Sequence, residues 1–312
     1  MKINLTVITP TFNEEGSILE CINRLKIVMK TCCPEINYEH IIIDNCSEDE
    51  TVNIAVKESK KDPRIKILVN SRNVGGSRSI YKALSRASGE WIIPMLPADL
   101  QDPAEVIPLM LEKAVDGVEI VYGVRKNRHE RLIIRSLRKI YYRTLRNFST
   151  FDLQNDAGDF VLISSRVAMS INSVQDQNPY VRGMIAQTGA KFDSVSYTMN
   201  KRMQGESKYS AFMLADLAIS GMVSSTYIPA RIALIMGFLT SILGVIAGSI
   251  YLMLTIFSGQ DTNSGIPTII IAMFFLGGIQ LFFLGLIGEY VLSIHRQVKP
   301  EPNVTFINEV NF

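Results

Sequence analysis

Residues 91–105 read WIIPMLPADLQDPAE, an apolar run that ends in three polar side chains and a proline. The apolar part, residues 91–96, predicts a buried strand, and Pro103 is placed to open a helix. Asp99, Gln101 and Asp102 therefore follow the carboxyl end of a strand. Ligands bind at this edge of open α/β sheets. Carboxylate and amide oxygens there suit a hard cation such as Mg²⁺ that holds a diphosphate.

Upstream and downstream of this stretch, β-branched runs alternate with segments of helical periodicity. The predicted strands are residues 5–9, 40–43, 65–69, 119–124 and 160–164, and the predicted helices span residues 18–29, follow Asp49, and span residues 75–87. Repeated βα units predict an α/β fold with a mostly parallel sheet covered by helices on both faces. No G-x-G-x-x-G follows the first strand, which argues against a dinucleotide-dependent oxidoreductase.

Composition divides the chain into two parts. The 312 residues carry a net charge of +2, and the mean hydropathy of +0.17 is high for a soluble enzyme because apolar residues accumulate after Ile228. The first residues lack the layout of a signal peptide, which predicts a cytoplasmic N-terminal domain. The four cysteines form no C-x-x-C pair and are expected to be reduced.

Two long apolar stretches follow, residues 232–257 and 266–287, neither of which contains a charged residue. Each exceeds the roughly 20 residues that cross a bilayer. The loop between them has no Lys or Arg, whereas Arg231, His295, Arg296 and Lys299 flank the pair. The positive-inside rule then predicts a multi-pass hairpin with both termini in the cytoplasm. Two buried core helices are the alternative, which their length and apolarity disfavour.

Residues 131–148 predict a basic amphipathic helix that lies at a membrane surface. Its apolar face has Ile133, Leu137, Ile140, Tyr141, Leu145 and Phe148, and its basic face has Arg131, Arg135, Arg138, Lys139, Arg143 and Arg146. Such a helix can lie among anionic headgroups. An ordinary helix with a solvated basic face is the alternative, and a nucleic-acid partner is not expected because no binding motif accompanies it. Residues 211–227 predict a second interfacial helix.

Six segments carry a family resemblance. They read VITPTFNEE (7–15), IDNCSEDET (43–51), NSRNVGGS (70–77), PADLQD (97–102), NDAGDF (155–160) and KRMQGESKY (201–209). Over nearly the whole chain they resemble motifs of inverting family-2 glycosyltransferases of the polyprenyl-phosphate type, a group that includes the dolichol-phosphate-mannose-synthase-like and bactoprenol enzymes. The metal motif of that family is D-x-D-x-Q-D, and here Pro97 stands in place of its first aspartate.

The resemblance implies a GT-A (Rossmann-like) domain that binds the donor nucleotide through Pro10, Asn13, Glu15, Asp44 and Arg72. Asp49 is interpreted instead as a helix N-cap. The glycines after Arg72 either present N–H groups to phosphate or only make a turn.

The resemblance also assigns catalysis to Asp99 and Asp159, and a Mg²⁺ or Mn²⁺ ion to Asp99 and Gln101. Pro97 removes one negative charge and is expected to weaken metal binding in the absence of donor. Asp102 has two possible roles, helix initiation before Pro103 and a contribution to the site. Asp159 matches the proposed base, but a phosphate acceptor with a second pKa of about 6 needs little deprotonation, so Asp159 either takes a residual proton or orients the acceptor.

Several basic and hydroxyl side chains are assigned to bind phosphate, because guanidinium and ammonium groups neutralise a leaving diphosphate. These residues are Arg125, Arg128, Arg202, Ser207 and Lys208. Arg202, Ser207 and Lys208 match the family's loop, whereas Arg125 and Arg128 follow a strand end.

The resulting hypothesis is a membrane-anchored enzyme that transfers a sugar from a nucleotide-diphosphate sugar to polyprenyl phosphate with inversion. The predicted organisation is a GT-A domain (1–209), a juxtamembrane helix (210–230), a transmembrane hairpin (231–296) and a cytoplasmic tail (297–312). The lipid bilayer is a further partner, and a homo-oligomer through the membrane segments is compatible with the resemblance. Two alternatives stay open, a different lipid or glycan acceptor and a non-catalytic homologue that binds nucleotide sugar or lipid.

Overall fold

A computed structural model describes residues 4–115, 117–126, 157–174, 176, 179–200, 265–299 and 305–312, together with 235–240, 242–244, 246, 248–250, 253 and 257. The predicted helices over 131–148 and 211–227 lie outside these residues. The chain divides into two compact units. One comprises Met1–Ala211 with Pro300–Phe312, and the other comprises Phe212–Lys299.

In the part of the chain that the structure describes, the first unit has eight strands: β1 (Leu5–Thr11), β2 (Tyr38–Asp44), β3 (Ile65–Asn70), β4 (Trp91–Ile93), β5 (Ile120–Lys126), β6 (Ala157–Ser164), β7 (Phe192–Thr198) and β8 (Phe306–Val310). Its helices are α1 (Ile18–Cys32), α2 (Thr51–Ser59), α3 (Gly76–Leu84), α4 (Ile107–Lys113), α5 (Ser165–Asn172) and α6 (Val181–Gln187), with a 3-10 turn at Ala104–Val106. The alternation of strands and helices predicted for residues 5–87 is confirmed, with small shifts at element ends.

The strands form one sheet in the order β7-β5-β6-β4-β1-β2-β3-β8. Within the described sheet, the β1–β2, β1–β4, β2–β3 and β5–β7 pairs are parallel, and the β4–β6, β5–β6 and β3–β8 pairs are antiparallel. The sheet is therefore mixed but mostly parallel, as predicted, because only β6 and β8 among the described strands run against the direction of the others.

Helices cover both faces of the sheet, as the βα pattern predicts. On β1, Leu5 and Val7 pack with Leu25 of α1, whereas Ile8 packs on the opposite face with Ile80 of α3. All five side chains are buried. Successive strand residues point to opposite faces, so one β-branched run supplies both cores.

The prediction of a strand over residues 91–96 is wrong at its carboxyl end, because β4 stops at Ile93. Pro94 has no backbone N–H and does not continue the ladder. The N–H of Leu96 still donates to the carbonyl of Ile8 at 2.8 Å, so the departing chain stays beside β1. Within the predicted cytoplasmic tail (297–312), residues Phe306–Val310 form β8, a strand that was not predicted from the sequence.

The second unit contains two apolar helices, α7 (Ile235–Ile250) and α8 (Ile266–Val298). Among the described residues, α8 alone is long and apolar enough to cross a membrane, with a window at Phe275–Leu292 of mean hydropathy 1.7 and no buried residue. The part of α7 that the structure describes is shorter than a span, so the predicted pair of transmembrane helices is not confirmed. α8 ends at Val298, beyond the uncharged stretch that ends at residue 287 and close to the predicted end of the hairpin at residue 296.

Candidate active site

Strand order places the candidate site at the carboxyl ends of β1 to β4. From β1 the chain moves one way along the sheet to β2 and β3, and then returns to the other side of β1 as β4. Ligands bind where strand order reverses in this manner. The loops that follow these four strands carry the predicted nucleotide and metal residues, so the topology brings those segments to one edge.

The loops after β1 and β2 are joined by side-chain hydrogen bonds. The N–H of Asn13 donates to Ser47 Oγ at 2.9 Å, and Asn13 Oδ1 accepts from the N–H of Glu48 at 3.0 Å. Glu15 Oε2 accepts from the N–H of Glu50 at 3.1 Å. Asn13 has a φ of 53°, which asparagine tolerates better than most residues. Asn13 and Glu15 are exposed and Pro10 is half-buried, so all three lie at the surface of this edge.

Asp44 and Asp49 hold the same loops in place. Asp44 is buried, its Oδ1 accepts from Thr11 Oγ1 at 3.0 Å and from Ser47 Oγ at 2.5 Å, and its Oδ2 accepts from the N–H of Ser47 at 2.7 Å. Nucleotide contact by Asp44 stays a prediction beside this structural role. Asp49 Oδ1 accepts from the N–H of Thr51 at 3.0 Å, but α2 begins at Thr51 with Glu50 as its N-cap, so the interpretation of Asp49 as the N-cap is wrong by one residue. Burial raises the pKa of Asp49, but hydrogen bonds from Thr51 and Glu15 outweigh it and lower that pKa overall.

Asn45, which the sequence analysis did not single out, links these loops to the loop after β3. Its Oδ1 accepts from the N–H of Val74 at 2.9 Å and from Ser79 Oγ at 3.1 Å. Its Nδ2 donates to Asn73 Oδ1 at 2.7 Å. Arg72 is exposed in the loop that these bonds hold. The available signal was the position of Asn45 directly after Asp44 at a strand end.

Residues 97–102 form a tight turn that presents the predicted metal ligands. The N–H of Leu100 donates to the Pro97 carbonyl at 3.1 Å, and Asp99 Oδ1 accepts from the N–H of Gln101 at 3.1 Å. Leu100 has a φ of 53°, an uncommon conformation for a leucine. Asn200, which follows β7, donates from its N–H to the Gln101 carbonyl at 2.9 Å and from Nδ2 to the Leu100 carbonyl at 3.3 Å.

The donor set at this turn fits a metal that substrate helps to hold. In the part of the chain that the structure describes, no three His, Cys, Asp or Glu residues cluster as a protein-only metal site. Asp99 supplies a carboxylate and Gln101 an amide oxygen. Mg²⁺ needs only one or two carboxylates when phosphates and water complete its shell. The residues present therefore suit an ion that enters with a diphosphate.

Asp102 anchors the end of this turn in a buried ion pair. Arg125 donates from Nε to Asp102 Oδ1 at 3.0 Å and from Nη2 to Oδ2 at 2.7 Å, and Tyr197 donates from its hydroxyl to Oδ1 at 2.5 Å. Burial lowers the pKa of Arg125, but hydrogen bonding and attraction to Asp102 outweigh it and raise that pKa. Burial and then the charge of Asp102 raise the pKa of Tyr197, which keeps its hydroxyl protonated. The guanidinium assigned to phosphate is thus engaged by Asp102.

Arg125 also contacts the strand that carries Asp159. A Cβ added to Gly158 would lie 3.3 Å from Arg125 Nε, so the backbone of β6 packs closely on the guanidinium. Asp159 is exposed, while the neighbouring Phe160 is buried in the core. Arg125 therefore lies between the turn at residues 97–102 and the first residues of β6.

Four assigned residues, Arg128, Arg202, Ser207 and Lys208, lie outside the described residues, and their roles stay predictions, as do those of Asp99, Gln101 and Asp159. The supporting roles of Asn45, Asn73, Tyr197 and Asn200 were not predicted from the sequence. Asn200 comes directly before the predicted phosphate loop, which was the one local signal for it.

Known proteins resemble the chain over most of its length. Residues 6–171 match the model of glycosyl transferase family 2. The uncharacterized glycosyltransferase YkcC of Bacillus subtilis strain 168 is 34% identical over 96% of this chain and 92% of its own. The bactoprenol glucosyl transferase of Shigella phage SfV is 30% identical over 99% of both chains.

A solved structure shows the same fold. Glucosyl-3-phosphoglycerate synthase from Mycobacterium tuberculosis, in complex with Mn²⁺, UDP-glucose and phosphoglyceric acid, matches 71% of this chain and 78% of its own at 14% identity and a TM-score of 0.52. The sheet is thus GT-A-like. Together with the family match, these similarities show that the chain is a glycosyltransferase that belongs to glycosyl transferase family 2.

Proposed function

We propose that this glycosyltransferase moves a sugar from a nucleotide-diphosphate sugar to polyprenyl phosphate at the cytoplasmic face of a membrane, with inversion at the anomeric carbon. The observation that carries the proposal is the match to the phage bactoprenol glucosyl transferase, which extends over 99% of both chains. That match includes the apolar helix α8 as well as the first unit (Met1–Ala211 with Pro300–Phe312), which is called the catalytic unit below.

The donor nucleotide is proposed to lie across the joined loops after β1, β2 and β3. Pro10, Asn13 and Glu15 offer exposed groups there, and Arg72 lies in the adjoining loop. Asp44 and Asn45 support the proposal because their hydrogen bonds hold the three loops in one arrangement. A preformed loop set lowers the ordering cost of binding a nucleotide.

Asp99 and Gln101 would hold Mg²⁺ or Mn²⁺ with the donor diphosphate. When bound, the ion supplies positive charge that stabilises the leaving nucleoside diphosphate. Asn200 holds the backbone carbonyls of Leu100 and Gln101, and Asp102 anchors the C-terminal end of the turn. Arg202, Ser207 and Lys208 are proposed to neutralise phosphate from the loop that follows Asn200.

The acceptor phosphate attacks the anomeric carbon as the bond to the nucleoside diphosphate breaks. At pH 7 this phosphate is mostly dianionic, since its second pKa is about 6. Asp159 is therefore proposed to take a residual proton or to orient the acceptor. Its exposed position at the start of β6 allows an acceptor to reach it.

The membrane segment is proposed to be a hairpin with both ends in the cytoplasm. Residues before 211 and after 300 belong to one folded unit, in which β8 pairs with β3. A segment whose two flanks share a compartment crosses the bilayer an even number of times, so a crossing by α8 needs a partner. Within the second unit, Met236 of α7 lines the same apolar cavity as Phe275 and Phe282 of α8, which supports α7 as that partner.

Lipid transfer tests the proposed function. Membranes that contain the full chain are incubated with a polyprenyl phosphate, Mg²⁺ or Mn²⁺, and radiolabelled nucleotide sugars supplied one at a time. We expect label in the organic-extractable lipid only when polyprenyl phosphate is present, and we expect EDTA to abolish it. Label in a water-soluble or polymeric glycan would favour a different acceptor. Nucleotide-sugar binding without any transfer would favour a non-catalytic homologue.

The hairpin is tested separately by labelling cysteines in sealed vesicles of known orientation. A cysteine at Thr262, in the loop without Lys or Arg, is expected to be extracytoplasmic. A cysteine added after Phe312 is expected to be cytoplasmic. Labelling of both positions from the same side would refute the hairpin.

A further inference from the structure

Hydrogen bonding between the β8 segment and β3 continues past the end of β3, into the loop that follows β3. Phe306 lies opposite Asn70, where the register shifts. The carbonyl of Thr305 accepts from the N–H of Ser71 at 3.0 Å. Ser71 begins the loop 71–75, which contains Arg72 and ends at α3. β8 therefore fixes the first residue of this loop.

The far end of the loop is fixed from the opposite side by Asn45. Asn45 Oδ1 accepts from the N–H of Val74 at 2.9 Å, and Asn45 Nδ2 donates to Asn73 Oδ1 at 2.7 Å. Asn73 Oδ1 in turn accepts from the N–H of Gly75 at 3.0 Å. Loop 71–75 is thus held between Asn45 and β8.

β8 also contacts the helix that follows the loop. The ring of Phe306 lies under Lys82 of α3 and under Arg86, which follows α3, at 5.4 and 5.7 Å from its centroid. Arg86 forms an ion pair with Glu309 at 3.1 Å. The β8 segment therefore contacts Ser71, the first residue of the loop, and also α3, which begins directly after the loop ends.

We infer that β8 is a positioning element of the donor site, which holds loop 71–75 in the conformation that binds the nucleotide diphosphate. The inference rests on the proposed function for the role of Arg72 in that loop. The alternative is a strand that only covers the edge of the sheet, as many proteins cover exposed edges. Such a cover would stabilise β3 without controlling the loop beyond it.

Two substitutions at opposite ends of β8 separate these roles. Phe306 adjoins the loop, whereas Asn311 donates from Nδ2 to the carbonyls of Ser59 at 3.0 Å and Ile65 at 2.8 Å, at the other end of β3. Asn311 has a φ of 65°, so Asn311→Gly removes the side-chain bonds while the backbone stays allowed. Asn311→Gly is therefore the matched control for Phe306→Ala.

Amide hydrogen exchange on the full chain in detergent gives the first measurement. The amides to follow are Val74 and Gly75, because their hydrogen-bond acceptors are Asn45 and Asn73 and not β8. Phe306→Ala is expected to speed their exchange by about fivefold or more, the scale of one lost net hydrogen bond. Phe306→Tyr, which keeps the ring, is expected to restore slow exchange. Asn311→Gly is expected to lower the melting temperature and leave both amides protected.

Donor kinetics give the second measurement, with UDP-glucose in the lipid-transfer assay. Phe306→Ala is expected to raise the donor KM while kcat at saturating donor stays within about twofold, because binding is lost rather than chemistry. The inference would be overturned if Val74 and Gly75 exchanged equally fast in both variants. It would also be overturned if Phe306→Ala lowered the melting temperature without changing the exchange rates of these amides. Either result would leave β8 as a cover for the sheet edge. Exchange needs no substrate, so a parent protein that transfers no sugar to lipid would refute the proposed function while the amide comparison still decides the role of β8.

Discussion

Arg125→Met should destabilise the catalytic unit strongly, because it leaves the Asp102 carboxylate buried without its cation. Asp102 is 2% exposed, and removal of one partner from a buried ion pair costs about 3–5 kcal/mol. The Arg125 side chain is 23% exposed, which lets water reach the site and places the expected loss near 3 kcal/mol. For a unit of this size, that loss corresponds to a fall in melting temperature of roughly 6–12 °C.

A double-mutant cycle isolates the ion pair. Asp102→Asn added to Arg125→Met removes the unpaired charge, so the double variant should regain at least about 1 kcal/mol relative to Arg125→Met alone. Lys113→Met is the matched control. Its partner is Asp193, at 2.7 Å with both side chains 44% exposed, and loss of such a surface pair costs at most about 1 kcal/mol.

Thermal unfolding of these variants can be followed through Trp91, the only tryptophan in the sequence, which is half-buried on β4 of the catalytic unit. Strictly additive effects of the two substitutions would refute the reasoning. So would an Arg125→Met protein that melts within the range of the Lys113→Met control.

Four further outcomes are expected. Asp99→Asn should lower sugar transfer by at least about a hundredfold at unchanged melting temperature, since the turn keeps its hydrogen bonds; near-parental turnover would exclude a metal role for Asp99. Asp159→Asn should reduce kcat/KM most at low pH, with the defect shrinking as pH rises through the acceptor pKa of about 6; a pH-independent defect would favour an obligatory base. Burial lowers the pKa of His40 from 6.5 to about 4 in the folded state. The free energy of unfolding should therefore fall by about 3 kcal/mol as pH drops from above 6.5 to 4. His40→Gln should lessen that fall, as measured by urea titration at each pH. Cys46 has a φ of 65°, so Cys46→Gly should raise the free energy of unfolding by up to about 1 kcal/mol, and a destabilised variant would show that the thiol contacts outweigh backbone strain.

The sequence was sufficient for those parts of the fold that depend on local pattern. The run at residues 40–43 and the periodic apolar residues from Ile18 to Met29 each predict one element, and β2 and α1 contain them. Strand ends were predicted less well where one residue changes the ladder, as Pro94 does at β4. β8 was missed because its five residues, FINEV, carry little signal of their own and depend on pairing with a strand more than 200 residues earlier.

The candidate site, like the fold, was only partly predictable from the sequence. Motif spacing identified the polar residues at strand ends, such as Asp99 and Asp44. It did not reveal the contacts that support them, because Tyr197 reaches Asp102 across 95 positions in the sequence. The left-handed conformation of Leu100 was equally invisible, since the turn around it is held by Asn200, which follows β7 and lies 100 positions later in the sequence.

The pairing of β8 with β3 also sets an order of events during synthesis. Phe306 joins the sheet opposite Asn70, 236 residues after it (306 − 70). At about 5–20 residues per second, a ribosome needs roughly 10–50 s to cover that distance. During this time the outer edge of β3 has no partner from β8. The apolar helix α8 is made within the same interval and before β8, so the sheet acquires this edge only after α8, the longest apolar helix among the described residues, has been synthesised.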